Sequence, residues 1–233
     1  MDKNGVLAYL KRRGTKRNVE GLARYGIRAE RAFGVPMATL LSLAKQLGKD
    51  HALAMALWES GWYEARLLAA LVDDPRRVTR RQMNAWAADF DNWAVCDTAC
   101  FHLFDRTPFA WEKVRRWATS PREFVKRAAF WMMASLTVHD KSARDTQFLA
   151  LLPLIEQGAV DDRNFVKKAV SSALRSIGKR SLPLNTAALV VAKRLSQSEQ
   201  PGSRWVGKDA VRELASSKVH SRLARRGRSS DEK

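Results

Sequence analysis

Phe124-Val125-Lys126-Arg127-Ala128 recurs as Phe165-Val166-Lys167-Lys168-Ala169, an offset of 41 residues. Each copy stands near the start of a helical pattern, just after a turn that carries acid or proline. A period near 40 residues is that of HEAT-type helix pairs. Such pairs stack because one amphipathic pair cannot bury its apolar stripe alone. In the first copy Phe124, Arg127/Ala128 and Trp131 share a face. In the second, Phe165, Ala169, Ala173 and Ile177 form a core stripe, and Lys168, Ser172, Arg175 and Lys179 form a separate polar one.

The rest of the chain keeps the same helical rhythm. No segment alternates with period two, and no Asn-Gly or Asp-Gly hairpin signal occurs. Helices are expected over residues 4–13, in short pieces over 14–34, then over 36–47, 51–59, 62–72, 78–89, 92–105, 108–118, 121–138, 143–157, 162–177, 184–196 and 203–216. Pro36, Pro108 and Pro121 sit at helix starts, Asp50 is a cap, and Gly48 closes a helix. The expected fold is therefore all-α: a HEAT-like helical-repeat solenoid, an α-α superhelix with a concave basic face. It is read as one domain over residues 1–217, followed by a flexible basic tail over 218–233.

Charge is the strongest global signal. The 233 residues hold 42 Lys+Arg against 24 Asp+Glu, a formal net charge of +18. A basic folded surface of this kind draws polyanions, and double-stranded DNA suits it better than a lipid surface. No apolar run reaches the roughly 18 residues of a membrane helix, and no secretory h-region opens the chain. The expectation is a cytoplasmic monomer. Cys96 and Cys100 are the only cysteines and have no second pair. The four histidines are scattered, so they read as packing and surface groups rather than zinc ligands. Neither a phosphate-cradling Gly-x-x-x-x-Gly-Lys-Ser/Thr motif nor a Gly-x-Ser-x-Gly elbow is present, and no metal or cofactor is expected.

What chemistry the chain could carry gathers in Trp86-Ala-Ala-Asp-Phe-Asp-Asn-Trp-Ala-Val-Cys-Asp97, with three acids and three aromatics in twelve positions. Asp91 or Asn92 caps a helix there, and Trp93 and Asp97, four apart, share one face of it. A carboxylate beside an indole on a DNA-attracting protein suits cleavage of an N-glycosidic bond. That reaction builds positive charge on the sugar, which a carboxylate stabilises while it orients water. Tryptophan faces hold a cationic base or its sugar, and arginine fixes phosphates. Plainer readings exist for the same residues. Trp93 shares a stripe with Cys100 and Phe104 and would serve as core. Asp97 would pair with an arginine on a neighbouring helix, Arg127 included.

Five stretches in order carry a resemblance: Gly48-Lys-Asp-His-Ala-Leu-Ala-Met-Ala-Leu-Trp58, Glu64-Ala-Arg-Leu-Leu-Ala-Ala70, Phe90-Asp-Asn-Trp-Ala-Val-Cys-Asp97, Phe124-Val-Lys-Arg-Ala-Ala129 and Lys167-Lys-Ala-Val-Ser-Ser-Ala-Leu-Arg-Ser-Ile-Gly178. From about Tyr25 to Arg180 the sequence resembles the AlkD-like DNA alkylation repair enzymes, DNA glycosylases built of HEAT-like repeats. The resemblance implies metal-free hydrolytic removal of cationic N3- and N7-alkylated purines from duplex DNA, with contacts to the lesion's sugar and phosphates. It implies Asp97 as the catalytic acid group, Trp93 as the aromatic one turn earlier, and Arg127 as the phosphate-facing arginine. Lys126, Lys167, Lys168, Ser172, Arg175, Lys179 and Arg180 are expected along the DNA backbone. The chain departs from the family pattern twice: Ala94 stands where an Asp is common, and Ser172 where a second DNA-contacting Trp is expected. Two further readings stay in view. One is a non-catalytic DNA-binding scaffold for bent or branched DNA. The other is a HEAT-type platform for an acidic protein partner.

Overall fold

The structure, a computed structural model, describes residues 1–231, with side chains through Arg225. Among the described residues there are fifteen α-helices, two 3-10 turns and no strand. None of these helices is long and apolar enough to cross a membrane. Contacts gather the chain into two compact units, Met1–Phe109 and Ala110–Lys233.

The first unit runs α1 (Lys3–Arg13), α2 (Lys16–Leu22), a 3-10 turn (Ala23–Tyr25), α3 (Met37–Leu47), α4 (His51–Glu59), α5 (Tyr63–Val72), α6 (Arg80–Ala88), α7 (Trp93–His102) and a second 3-10 turn (Phe104–Arg106). Short polar side chains start most of them: Asp2, Thr15, Asp50, Thr79 and Asn92 each accept a backbone N–H from the first turn. Trp58 stacks on Trp86 with centroids 3.9 Å apart, and its indole N–H donates to Asp89 at 2.8 Å. Phe33 and Trp62 stack at 4.0 Å. Below α5 the Asp73 carboxylate accepts from His51 Nδ1 at 2.7 Å and from Gln82 Nε2 at 2.6 Å, which joins the starts of α4 and α6.

Glu64, in the first turn of α5, is fully buried. Its carboxylate accepts the backbone N–H groups of Phe33, Gly34 and Val35 at 2.9, 2.6 and 3.2 Å. Three amides of an irregular segment would otherwise lack partners, and a charge-assisted acceptor satisfies all three.

The second unit runs α8 (Ala110–Trp117), α9 (Glu123–His139), α10 (Asp145–Leu149), α11 (Leu152–Ala159), α12 (Asn164–Gly178), α13 (Leu182–Ser196), α14 (Pro201–Leu214) and α15 (Ser217–Asp231). α12 packs against α9, α14, α13 and α11. The repeated Phe residues meet here: Phe124 and Phe165 have ring centroids 5.5 Å apart. Equivalent positions of successive repeats are thus in contact, as a stacked array requires. Ala169, Ala173 and Ile177 are fully buried, as their stripe predicts. Gly158 of α11 leaves room for the buried Phe130 ring of α9, since a Cβ there would stand 2.2 Å from that ring.

One expectation is corrected. The single helix expected over 143–157 is two helices, broken at Ala150–Leu151. Pro153 lies in the first turn of α11 and has no N–H to give the carbonyl four residues back. In α15, Val219 and Leu223 are buried. Residues 232–233 lie outside the described residues.

Candidate functional site

α7 begins at Trp93 because Asn92, with extended backbone, accepts the Val95 N–H at 3.0 Å. The structure selects Asn92 over Asp91 as the cap. Asp91 accepts from Asn92 Nδ2 at 2.6 Å and takes a longer contact of 3.4 Å from Arg66.

Trp93 is partly exposed, unlike Cys100 and Phe104, which are fully buried. Its indole N–H donates to the Tyr25 carbonyl at 2.8 Å, a contact that spans 68 residues. That carbonyl ends a 3-10 turn, after which Gly26 at φ 70° reverses the chain. The bond ties the indole to the Tyr25 backbone, and the Tyr25 residue is 68% exposed. Asp97 follows one helical turn later and is 8% exposed. It is the fifth residue of α7. Below it, burial is the main cause that pushes the Cys100 thiol far up, with the Cys96 contact and the charges of Asp97 and Asp105 adding to it. Both cysteines are free and buried and serve as packing groups.

A cleft of about 390 Å³ opens beside the start of α7, lined by Arg28, Arg31, Tyr63, Arg66, Asp91 and Asn92 among others. The Tyr63 phenol is pushed up to about 12, first by burial and then by the nearby carboxylates of Glu64 and Asp91. Tyr63 therefore stays a neutral hydrogen-bonding group. The Arg66 guanidinium stacks 5.6 Å over Trp58, and its buried Nε has no hydrogen-bond partner among the described residues. Neither Tyr25 nor this cleft was visible in the sequence, because both depend on how the 23–31 segment folds back on α5 and α7.

In the second unit Arg127 is 5% exposed. Its Nη1 donates to the Phe165 carbonyl at 2.6 Å, and the guanidinium lies 5.4 Å from the Trp131 ring. Lys126 bonds Asp161 at 3.0 Å, and Lys167 bonds Asp162 at 2.8 Å. Along α12, Arg175 meets Glu213 at 2.5 Å and Asp209 at 3.4 Å, and Lys179 meets Glu213 at 2.5 Å. Burial opposes ionisation of Glu213, but hydrogen bonds from Lys179 and Arg175 outweigh it and hold the carboxyl low. Arg180 donates to the carbonyls of Thr137, Asp140 and Ala143 and lies 4.6 Å over Phe148. Ser172 is partly buried beside Arg175. Lys168 is exposed, and among the described residues no carboxylate pairs with it. Two of the four residues of the stripe marked for phosphates, Arg175 and Lys179, are thus engaged by carboxylates of α14, 38 and 34 residues further on. A helical wheel of α12 alone could not show them.

The sequence pattern of the family described as DNA alkylation repair enzyme matches residues 6–214. The chain belongs to this family. Among solved structures, the chain superposes with TM-score 0.76 on a protein described as one of a new family related to the HEAT-like repeat DNA glycosylases, with affinity for branched DNA structures. The two are 19% identical, and the match covers 92% of this chain and 96% of that one. At that identity the likeness shows the fold, the HEAT-like helical repeat that the 41-residue offset predicts. A designed armadillo repeat protein aligns at 14% identity over 76% of this chain and 92% of its own, with a TM-score of 0.31 that bears no weight. A comparison with curated proteins finds no match. α7 sets Trp93 and Asp97 one turn apart.

Proposed function

We propose that the protein is a DNA glycosylase that hydrolyses the N-glycosidic bond of cationic N3- and N7-alkylated purines in duplex DNA. The observation that carries this reading is the pair on α7: a partly exposed indole, locked by its bond to the Tyr25 carbonyl, with the Asp97 carboxylate one turn on. As the bond breaks, positive charge grows on the deoxyribose. A carboxylate at nearly fixed position stabilises that charge more than it stabilises the substrate, so it speeds the step. The indole and Tyr25 offer aromatic faces to the sugar or the cationic base. Arg28, Arg31 and Arg66 around the neighbouring cleft supply charge for flanking phosphates. Arg127, the α12 cations and Ser172 enter the proposal from the family resemblance. The test is the release of free base from methylated duplex. Asp97→Asn should fold, bind duplex, and release base about 10²–10³ times more slowly, as loss of one electrostatic stabiliser does. Release by this variant at the wild-type rate would take Asp97 out of the mechanism.

Ser172 favours a second reading. One aromatic jaw is missing at that position, and the related solved structure is described as having affinity for branched DNA. In this reading the protein holds bent or branched DNA and excises nothing. Steeply salt-dependent binding with no released base at any enzyme concentration would choose it over the first.

A further inference from the structure

We propose that α14 carries a stacking site for an unpaired DNA base, with Trp205 as its platform; this rests on the reading that the protein binds DNA. Tryptophan is among the most buried residues on average, yet Trp205 is 39% exposed. It is also the one aromatic among the exposed large apolar residues described in the second unit. Lys208 and Arg212 follow it at three and seven positions and share its outward stripe. The Lys167 ammonium lies 5.9 Å from the ring centroid. No carboxylate pairs with Lys208 among the described residues, and Arg212 reaches back to Asp209 at 2.5 Å.

On the side of Lys208 and Arg212 is a hollow of about 550 Å³, walled by the turn after α13. Arg204 stiffens that wall by donating to the carbonyls of Ser198 and Glu199 at 3.0 and 3.2 Å. Glu199 is the only carboxylate among its lining residues, against Arg204, Lys208 and Arg212. The hollow is basic, and Lys208 and Arg212, which line it, lie on the same helix as the exposed Trp205.

An acidic peptide would use the cations but has no need of the ring face. A nucleic acid uses both, because every base has a π-face to stack and every nucleotide a phosphate. Along the helix axis Lys208 and Arg212 lie about 4.5 and 10.5 Å beyond Trp205. That spacing suits the phosphates next to a stacked base. Bases inside an intact duplex are stacked on each other and present no free face. The ligand is therefore a single-stranded segment, a gap or the unpaired bases at a branch.

The test is fluorescence anisotropy of the full-length protein with three labelled probes: an oligothymidine single strand, a gapped duplex and an intact duplex. Trp205→Ala should weaken binding to the single strand and the gapped duplex about tenfold, and to the intact duplex less than about twofold. Trp205→Phe should keep most of the affinity. Lys208→Gln should flatten the salt slope on the single strand by about 0.7. Circular dichroism of each variant separates lost stacking from lost fold. Undiminished single-strand binding by Trp205→Ala overturns the proposal. So do equal losses on all three probes. Wild-type protein that binds duplex but not single strands sinks the stacking site and leaves the glycosylase reading intact. Failure to bind any DNA brings down both.

Discussion

Single side chains in this molecule do long-range work, and Asp161 shows how. It stands in the turn before α12, bonded to Arg163 beside it and to Lys126 of α9. Arg163 in turn donates to the Pro121 carbonyl at 2.8 Å, so one carboxylate secures the starts of two helices. Bonds from Arg163, and then from Lys126, hold the Asp161 carboxyl far below its ordinary range despite partial burial. Because the folded state depresses this value, the stabilisation is fully present above the unfolded value near 4 and is lost as pH falls below it. Asp161→Asn should therefore cost about 1–3 kcal/mol at pH 7, where charged hydrogen bonds are lost. The gap from wild type should narrow steadily as pH falls from about 4 towards the depressed folded value, as urea midpoints at each pH would show. A gap that stays constant with pH would mean that the ion pairs contribute little.

At the scale of elements, close approach decides which helices can pair. The Phe130 ring of α9 reaches the backbone of α11 because position 158 has no side chain. Gly158→Ala would drive a methyl group into the Phe130 ring, which is fully buried and has little room to turn. A loss of about 1–3 kcal/mol in chemical denaturation is expected, the range for overpacked cores. A neutral result would show that the two helices slide apart freely. Much at this scale was legible in the sequence. The caps Asp50 and Asn92, the proline starts and the stripe of Ala169, Ala173 and Ile177 follow from local chemistry. The α10–α11 break was missed because apolar periodicity over 143–157 outweighed Pro153. The Glu64 clasp on residues 33–35 and the Arg175 and Lys179 pairs with Glu213 were out of reach. Each joins groups about 30 or more residues apart, and no local pattern encodes the partner. For the same reason Trp93 could not be told from core, since its exposure depends on where Tyr25 lies.

For the whole molecule, the net charge already sets the 24 acids against the 42 cations, so what decides the salt dependence is how many cations reach one bound duplex at once. Lys126, Lys167, Arg175 and Lys179 already have carboxylate partners. A protein that neutralised a phosphate with each of its +18 charges would show a slope of log K against log salt of about −16 on duplex DNA. A slope of roughly −3 to −6 is expected instead, for a handful of contacts, and duplex-binding titrations between 50 and 200 mM salt would measure it. A slope beyond about −10 would mean that those ion pairs open on binding.

Trp93 is also the very first residue of its helix, held by one side-chain cap and one carbonyl. Helix ends fray long before the body of a protein melts. On warming, Trp93 and the Tyr25 carbonyl should therefore part while the core is still intact, so a heat-tolerant version of this fold would need that end of α7 strengthened rather than its interior.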